Sequence, residues 1–131
     1  MKTIHTKIAG VSHKNDDGTS RQRYIRDYVS AGQHLILKRE PRNKYSANAT
    51  SVWWDQNIQL GYVPGDLSAD VARLLDSGQN LVTVVHQVTG GVRGKPTLGV
   101  NIDIHVLADG ESIPEPEKVG LLTALLRGLG L

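Results

Sequence analysis

The chain has 131 residues, about one domain's worth, and a chain of that size buries roughly two-thirds of its unfolded surface without needing a staple. Cysteine is absent, which excludes disulfides, thiolate metal ligands and a cysteine nucleophile together. The net charge of +2 conceals an asymmetry: residues 1–48 carry ten basic and four acidic side chains, a balance of +6, and the remainder balances at −4.

A basic half on a nearly neutral chain points to an anionic partner met through one face, against the plainer reading of an unevenly charged, solvated surface. The opening Met1-Lys2-Thr3-Ile4-His5-Thr6 lacks the apolar run of a signal peptide. No stretch approaches the ~20 apolar residues of a membrane helix. The expectation is a soluble, cytoplasmic protein with no membrane partner.

In chain order, residues 4–11 read as a strand with Ile4, Ile8 and Gly10 on one face and His5 and Lys7 on the other. A polar loop, residues 12–19, follows. Ser20 is placed to cap a short helix over residues 21–29, whose Tyr24, Ile25, Tyr28 and Val29 fall at helical spacing and leave Arg21, Arg23 and Arg26 outward. Residues 35–39 form a second strand and residues 41–46 a turn-rich connection, because Pro41 cannot join a central ladder. Residues 49–54 and 58–63 pair as a hairpin about Asp55-Gln56-Asn57. Trp53 and Trp54 then point to opposite faces. A second helix, residues 67–76, repeats Leu67, Val71, Leu74 and Leu75 and stops at Gly78.

Residues 81–88 and 98–107 make a long final hairpin, with Val82, Val84, His86 and Val88 on one face and Leu98, Val100, Ile102, Ile104 and Val106 sharing a face of the other strand. His86 reads as a core histidine. The predicted class is therefore mainly β with two or three short helices, an OB-like or SH3-like six-stranded antiparallel β-barrel. This body spans residues 1–108. An acidic, proline-containing linker (residues 109–117) and a short apolar helix (residues 118–131) follow, the latter suited to docking on its own domain, self-association or a protein partner.

Catalytic motifs are lacking. The run Thr89-Gly90-Gly91-Val92-Arg93-Gly94-Lys95-Pro96 resembles a phosphate loop but is one residue short, has proline in place of the magnesium-binding hydroxyl, and leads into a strand. It is better read as a basic hairpin tip. The five histidines, His5, His13, His34, His86 and His105, form no metal spacing, and Asp103 with His105 is a weak pair. No metal, no cofactor and no catalytic residue are expected. The chain reads as a binding module rather than an enzyme.

The densest polar and aromatic material is Lys38-Arg39-Glu40-Pro41-Arg42-Asn43-Lys44-Tyr45-Ser46-Ala47-Asn48-Ala49. Its cations can neutralise phosphates, Tyr45 can stack on a base, and Asn can bond base edges or sugar hydroxyls. Tyr24, Tyr28 and Tyr62 either extend such a platform or fill the interior of a chain that has no Phe.

The ordered set Ile8-Ala9-Gly10-Val11, Arg21-Gln22, Gly32, Leu35-Ile36-Leu37-Lys38-Arg39-Glu40-Pro41, Asn43-Lys44-Tyr45-Ser46-Ala47-Asn48-Ala49, Leu60-Gly61-Tyr62-Val63-Pro64 and the helix to Gly78 resembles a HIRAN domain, over about residues 4–106. That resemblance implies a modified OB-like barrel binding single-stranded DNA, in some members by gripping the 3′-hydroxyl end, in DNA repair or replication-fork processing. It implies a binding set in which Arg21-Gln22 or Arg23-Tyr24 supplies an Arg-Tyr pair and Asn43, Tyr45, Ser46 and Tyr62 occupy the other matching positions; the charge count adds Arg39, expected on the same basic face. The family's Asp, which accepts the terminal hydroxyl, is Ser46 here, an acceptor without charge. The competing expectation is a protein-interaction module using the C-terminal helix or a sheet edge, without DNA binding.

Overall fold

The computed structural model describes residues 1–113. The last part of the predicted linker, residues 114–117, and the whole C-terminal helix lie outside the described residues. Eight elements follow in chain order: β1 (Lys2–Lys7), α1 (Arg21–Tyr28), β2 (His34–Arg39), β3 (Thr50–Trp53), β4 (Gln59–Tyr62), α2 (Gly65–Asp76), β5 (Asn80–Thr89) and β6 (Gly99–Leu107). The strands form one antiparallel sheet in the order β1-β6-β5-β2-β3-β4, curled into a half-barrel. The predicted class stands. Among the described residues, no helix is long and apolar enough to cross a membrane.

The curl follows from how β2 is shared. Its first residues, His34 and Leu35, pair with β5, whereas Ile36 to Arg39 pair with β3. The interior is filled by aliphatic side chains: Ile25 from α1, Val71 from α2, and Val52, Leu60, Val85, Val100, Ile102 and Ile104 from the strands are all essentially inaccessible. The alternation predicted for residues 100–104 is present. No aromatic ring belongs to the fully buried set; Tyr24 and Trp54 pack against its edge instead.

Two elements depart from the sequence reading, each for a local reason. The first strand ends at Lys7 rather than Val11, because the chain changes partners there. Ile8 N–H still bonds to Val100 O at 3.0 Å, but Ala9 exchanges two hydrogen bonds with Tyr62 of β4, at 2.8 and 3.0 Å. In β5, the alternation breaks at a bulge. Val85 faces Ile102 and Gln87 faces Asn101, so His86 is the extra residue and turns outward, its side chain 63 % exposed. It is not the core histidine its neighbours suggested.

The Ala9–Tyr62 exchange joins the two ends of the sheet, and Gly61 permits it. A β-carbon there would lie 2.3 Å from Ala9 O and 2.6 Å from Ile8 Cγ2. Gly61→Ala must therefore push β4 away from residues 8–9, an overpacking that costs about 1–3 kcal/mol. Urea unfolding should show a lower midpoint, and an unchanged midpoint would mean the closure is not part of the folded state's stability.

Candidate nucleic-acid interface

The closure brings loop residues 10–19, the start of α1 and the end of β4 into contact. Ser20 caps α1 as expected, its Oγ accepting from Arg23 N–H at 3.1 Å. Arg21 thereby becomes the first helical residue, but its side chain runs inward and the residue is 7 % exposed. This corrects the expectation of an outward arginine. Nε donates to Asn15 Oδ1 at 2.7 Å, Nη1 donates to Gly10 O at 2.9 Å, and the guanidinium lies 5.4 Å from the centre of the Tyr62 ring. Asn15 completes the arrangement by donating to Gln59 O at 3.0 Å and Thr19 Oγ1 at 3.1 Å.

From Tyr62 the polar chain continues. Its hydroxyl donates to Glu40 Oε1 at 3.0 Å, and Asn43 Nδ2 donates to the same oxygen at 3.0 Å. Burial raises the Tyr62 pKa above its usual 10.0, and the Glu40 carboxylate adds to that rise, so the phenol remains a donor. Asn43 Oδ1 in turn accepts from the N–H groups of Tyr45, at 2.9 Å, and Ser46, at 3.2 Å. That turn projects Tyr45 into solvent, 86 % exposed, with Lys44 Nζ 5.1 Å from its ring centre.

The sequence-derived residues divide accordingly. Arg21, Tyr62 and Asn43 belong to one connected cluster, with Tyr45 and Ser46 on the turn that Asn43 shapes. Ser46 Oγ is engaged within its own loop, accepting from Asn48 N–H at 3.2 Å. Arg39 is turned elsewhere. Its Nε and Nη2 grip the Asp76 carboxylate at 2.9 and 3.2 Å, while Nη1 and Nη2 donate to Ala49 O at 2.6 Å and Ala47 O at 3.0 Å. It pins the loop base to α2 rather than facing a ligand. Arg23 is exposed on α1 beside Asp27, and Tyr24 packs against the core edge 6.0 Å from the Tyr28 ring.

Sequence reasoning missed Glu40, the shared acceptor, and Asn15, which holds Arg21. Glu40 had a signal: it is the one acid in an otherwise cationic run from Lys38 to Lys44. Asn15 had none beyond its place in a polar loop. Asp103 and His105 do not pair with each other. Asp103 meets His5 Nδ1 at 2.6 Å, and His105 Nδ1 meets Thr3 Oγ1 at 2.8 Å. Among the described residues, no group of three or more His, Cys, Asp or Glu is placed to hold a metal ion.

A curled antiparallel half-barrel with loop-borne cation, ring, carboxylate and amide groups gathered beside β4 has the form of an OB-like module. The HIRAN domain family model matches residues 1–106. The chain therefore belongs to the HIRAN domain family, a family associated with DNA binding. Two solved structures share the fold. The HIRAN domain of human HLTF is 18 % identical, with a TM-score of 0.55 over 78 % of this chain and 74 % of that one. A protein from Lactobacillus plantarum is 24 % identical, with a TM-score of 0.57 over 79 % of this chain and 97 % of the other. Among curated proteins, none matches the chain.

The Arg39–Asp76 contact has a pH signature. Hydrogen bonding to Arg39 holds the Asp76 carboxyl below its usual 3.8. A carboxyl with a depressed folded pKa stabilises the fold above the unfolded value, and that contribution is lost as pH falls through the folded one. Asp76→Asn should thus lower stability near neutrality while losing less on acidification below 3.8. Thermal unfolding across pH 2–6 measures this, and parallel curves for both proteins would remove the contact's role.

Proposed function

We propose that this domain binds single-stranded nucleic acid, DNA by its family, at a strand end, in DNA repair or replication-fork processing. It acts as a binding module without turnover. The observation that carries the reading is the Tyr62–Glu40–Asn43 chain of hydrogen bonds ending at the exposed Tyr45. A base can stack on Tyr45, whose ring is free on the surface. Lys44, and Arg42 beside it in the loop, can neutralise the adjacent phosphates.

Glu40 supplies the charge that Ser46 lacks. One carboxylate oxygen receives Tyr62 and Asn43, which fix its orientation. The other can accept a terminal 3′ hydroxyl as a charge-assisted hydrogen bond. A 3′ phosphate at the same place meets like charge. Two unit charges about 4 Å apart repel by about 4 kcal/mol at an effective dielectric of 20, ample for discrimination even after screening. The hydroxyl end is the favoured ligand.

Stacking of one base on a tyrosine contributes about 1–3 kcal/mol, so Tyr45→Ala should weaken single-strand binding about ten-fold or more in a fluorescence titration. Binding equal to the parent would place the platform elsewhere. Glu40→Gln keeps an acceptor for Tyr62 but removes the charge. It should erase most of the preference for a free 3′ hydroxyl over a 3′ phosphate; a preference that survives intact would assign end selection to another group.

A further inference from the structure

Beyond that cluster, an open cleft of about 630 Å³ lies between α1 and the tip of the β5–β6 hairpin. Gln22, Arg23 and Arg26 form one side, and Gly91, Pro96 and Leu98 the other. Its size falls within the range of ligand-holding pockets.

The cleft is held in shape by groups that no ligand needs. Gln22 Nε2 donates to Val11 O at 3.0 Å and Leu98 O at 2.9 Å, while its Oε1 accepts from Leu98 N–H at 2.8 Å. This clamps α1 against the foot of β6. At Gly91, φ is +69°, a conformation that favours glycine, and a β-carbon would lie 2.8 Å from Leu98 Cδ2, so a larger residue there strains the turn that sets the hairpin tip. Val92 and Lys95 exchange two backbone hydrogen bonds, at 3.2 and 3.0 Å, which closes the tip into a tight turn.

The lining is cationic. Arg23 and Arg26 side chains are 73 % and 65 % exposed and share a single carboxylate, Asp27, at 3.6 and 3.0 Å. Arg93 and Lys95 follow Gly91 in the hairpin tip, outside the lining itself, and no acid occurs between Thr89 and Ile102. The cleft also adjoins the Tyr62 cluster. Arg21, whose guanidinium lies over the Tyr62 ring, bonds Gly10 O, and its neighbour Gln22, which lines the cleft, bonds Val11 O, so consecutive residues of α1 and of the loop link the two.

We propose that this cleft is a second contact site for the same strand, taking the sugar–phosphate backbone internal to the end held at Tyr62 and Glu40. It rests on the nucleic-acid reading above. Arg23 and Arg26 stand one helical turn apart, about 5–6 Å between β-carbons, and each guanidinium can fork onto a phosphate. Pro96 and Leu98 offer an apolar wall to the sugars. Such contacts fix the path of a strand and add salt-dependent affinity without reading sequence.

The test uses the full chain and labelled oligothymidylates of about 4 and about 16 nucleotides, the span of single-strand site sizes for OB folds, titrated across a salt series. In the double variant Arg23→Gln/Arg26→Gln, long-strand binding should weaken about ten-fold and the salt slope should fall by about 1.4, at about 0.7 per phosphate contact. Short-strand binding should stay at the parent value, whereas Tyr45→Ala weakens both lengths. Arg23→Lys/Arg26→Lys retains the charges and should recover most of the slope. An unchanged long-strand affinity and slope overturns the cleft assignment alone, as does equal weakening of both lengths. A parent protein that binds neither strand overturns the functional reading and this inference together.

Discussion

A guanidinium buried without a carboxylate partner is the constraint on which the rest of this domain depends. Ionised groups are costly to desolvate unless every donor finds an acceptor. Arg21 offsets part of that cost with two donated hydrogen bonds, to the Asn15 amide oxygen and the Gly10 carbonyl, and with the face of Tyr62. Gly10 and Asn15 belong to loop 10–19 and Tyr62 ends β4, so one side chain fixes that loop, the start of α1 and the end of β4 relative to one another. Its burial also explains why Tyr62 sits where its hydroxyl reaches Glu40. The candidate site is thus the outer end of a network whose inner end is structural.

The cations of the basic half have divided roles. Arg21 is buried among acceptors, Arg39 binds Asp76 and two loop carbonyls, and Lys38 lies 3.8 Å from the centre of the Trp53 ring while donating to Gln56 O. These three consolidate the fold. The charge presented to solvent comes instead from Lys2, Lys7 and Lys14, from the loop around Lys44, and from Arg23 and Arg26 beside the cleft. A count of charges along the chain reveals an electrostatic bias but not which members carry it to the surface.

The same division explains how a small aliphatic core supports a polar site. The strands meet over Val, Ile and Leu packing, with Gly61 allowing the sheet ends to touch. Aromatic rings are thereby released to the boundary, where Tyr45 is free and Tyr24, Tyr28 and Trp54 form a row at the core edge with centroid separations of 6.0 and 5.0 Å. The absence of Phe does not force tyrosine inward, because branched aliphatics fill the space.

Six strands, two helices within the described residues and their order were legible from the sequence, because period-two and helical spacings and the turn residues between them are local signals. The ordered motifs also carried the family and the residues of the 43–46 turn. Tertiary structure alone decided which way the polar side chains point. Arg21 occupies a helical position whose spacing says outward, yet acceptors distant along the chain draw it in. His86 follows an apolar alternation until a bulge, set by pairing with β6, turns it out. Arg39 reads as a phosphate ligand until α2 brings Asp76 to it, and Glu40 becomes a shared acceptor only when β4 carries Tyr62 beside it. Periodicity reports the conformation of a segment, but the partner of a charged or polar group is fixed by chain closure, which no local spacing encodes.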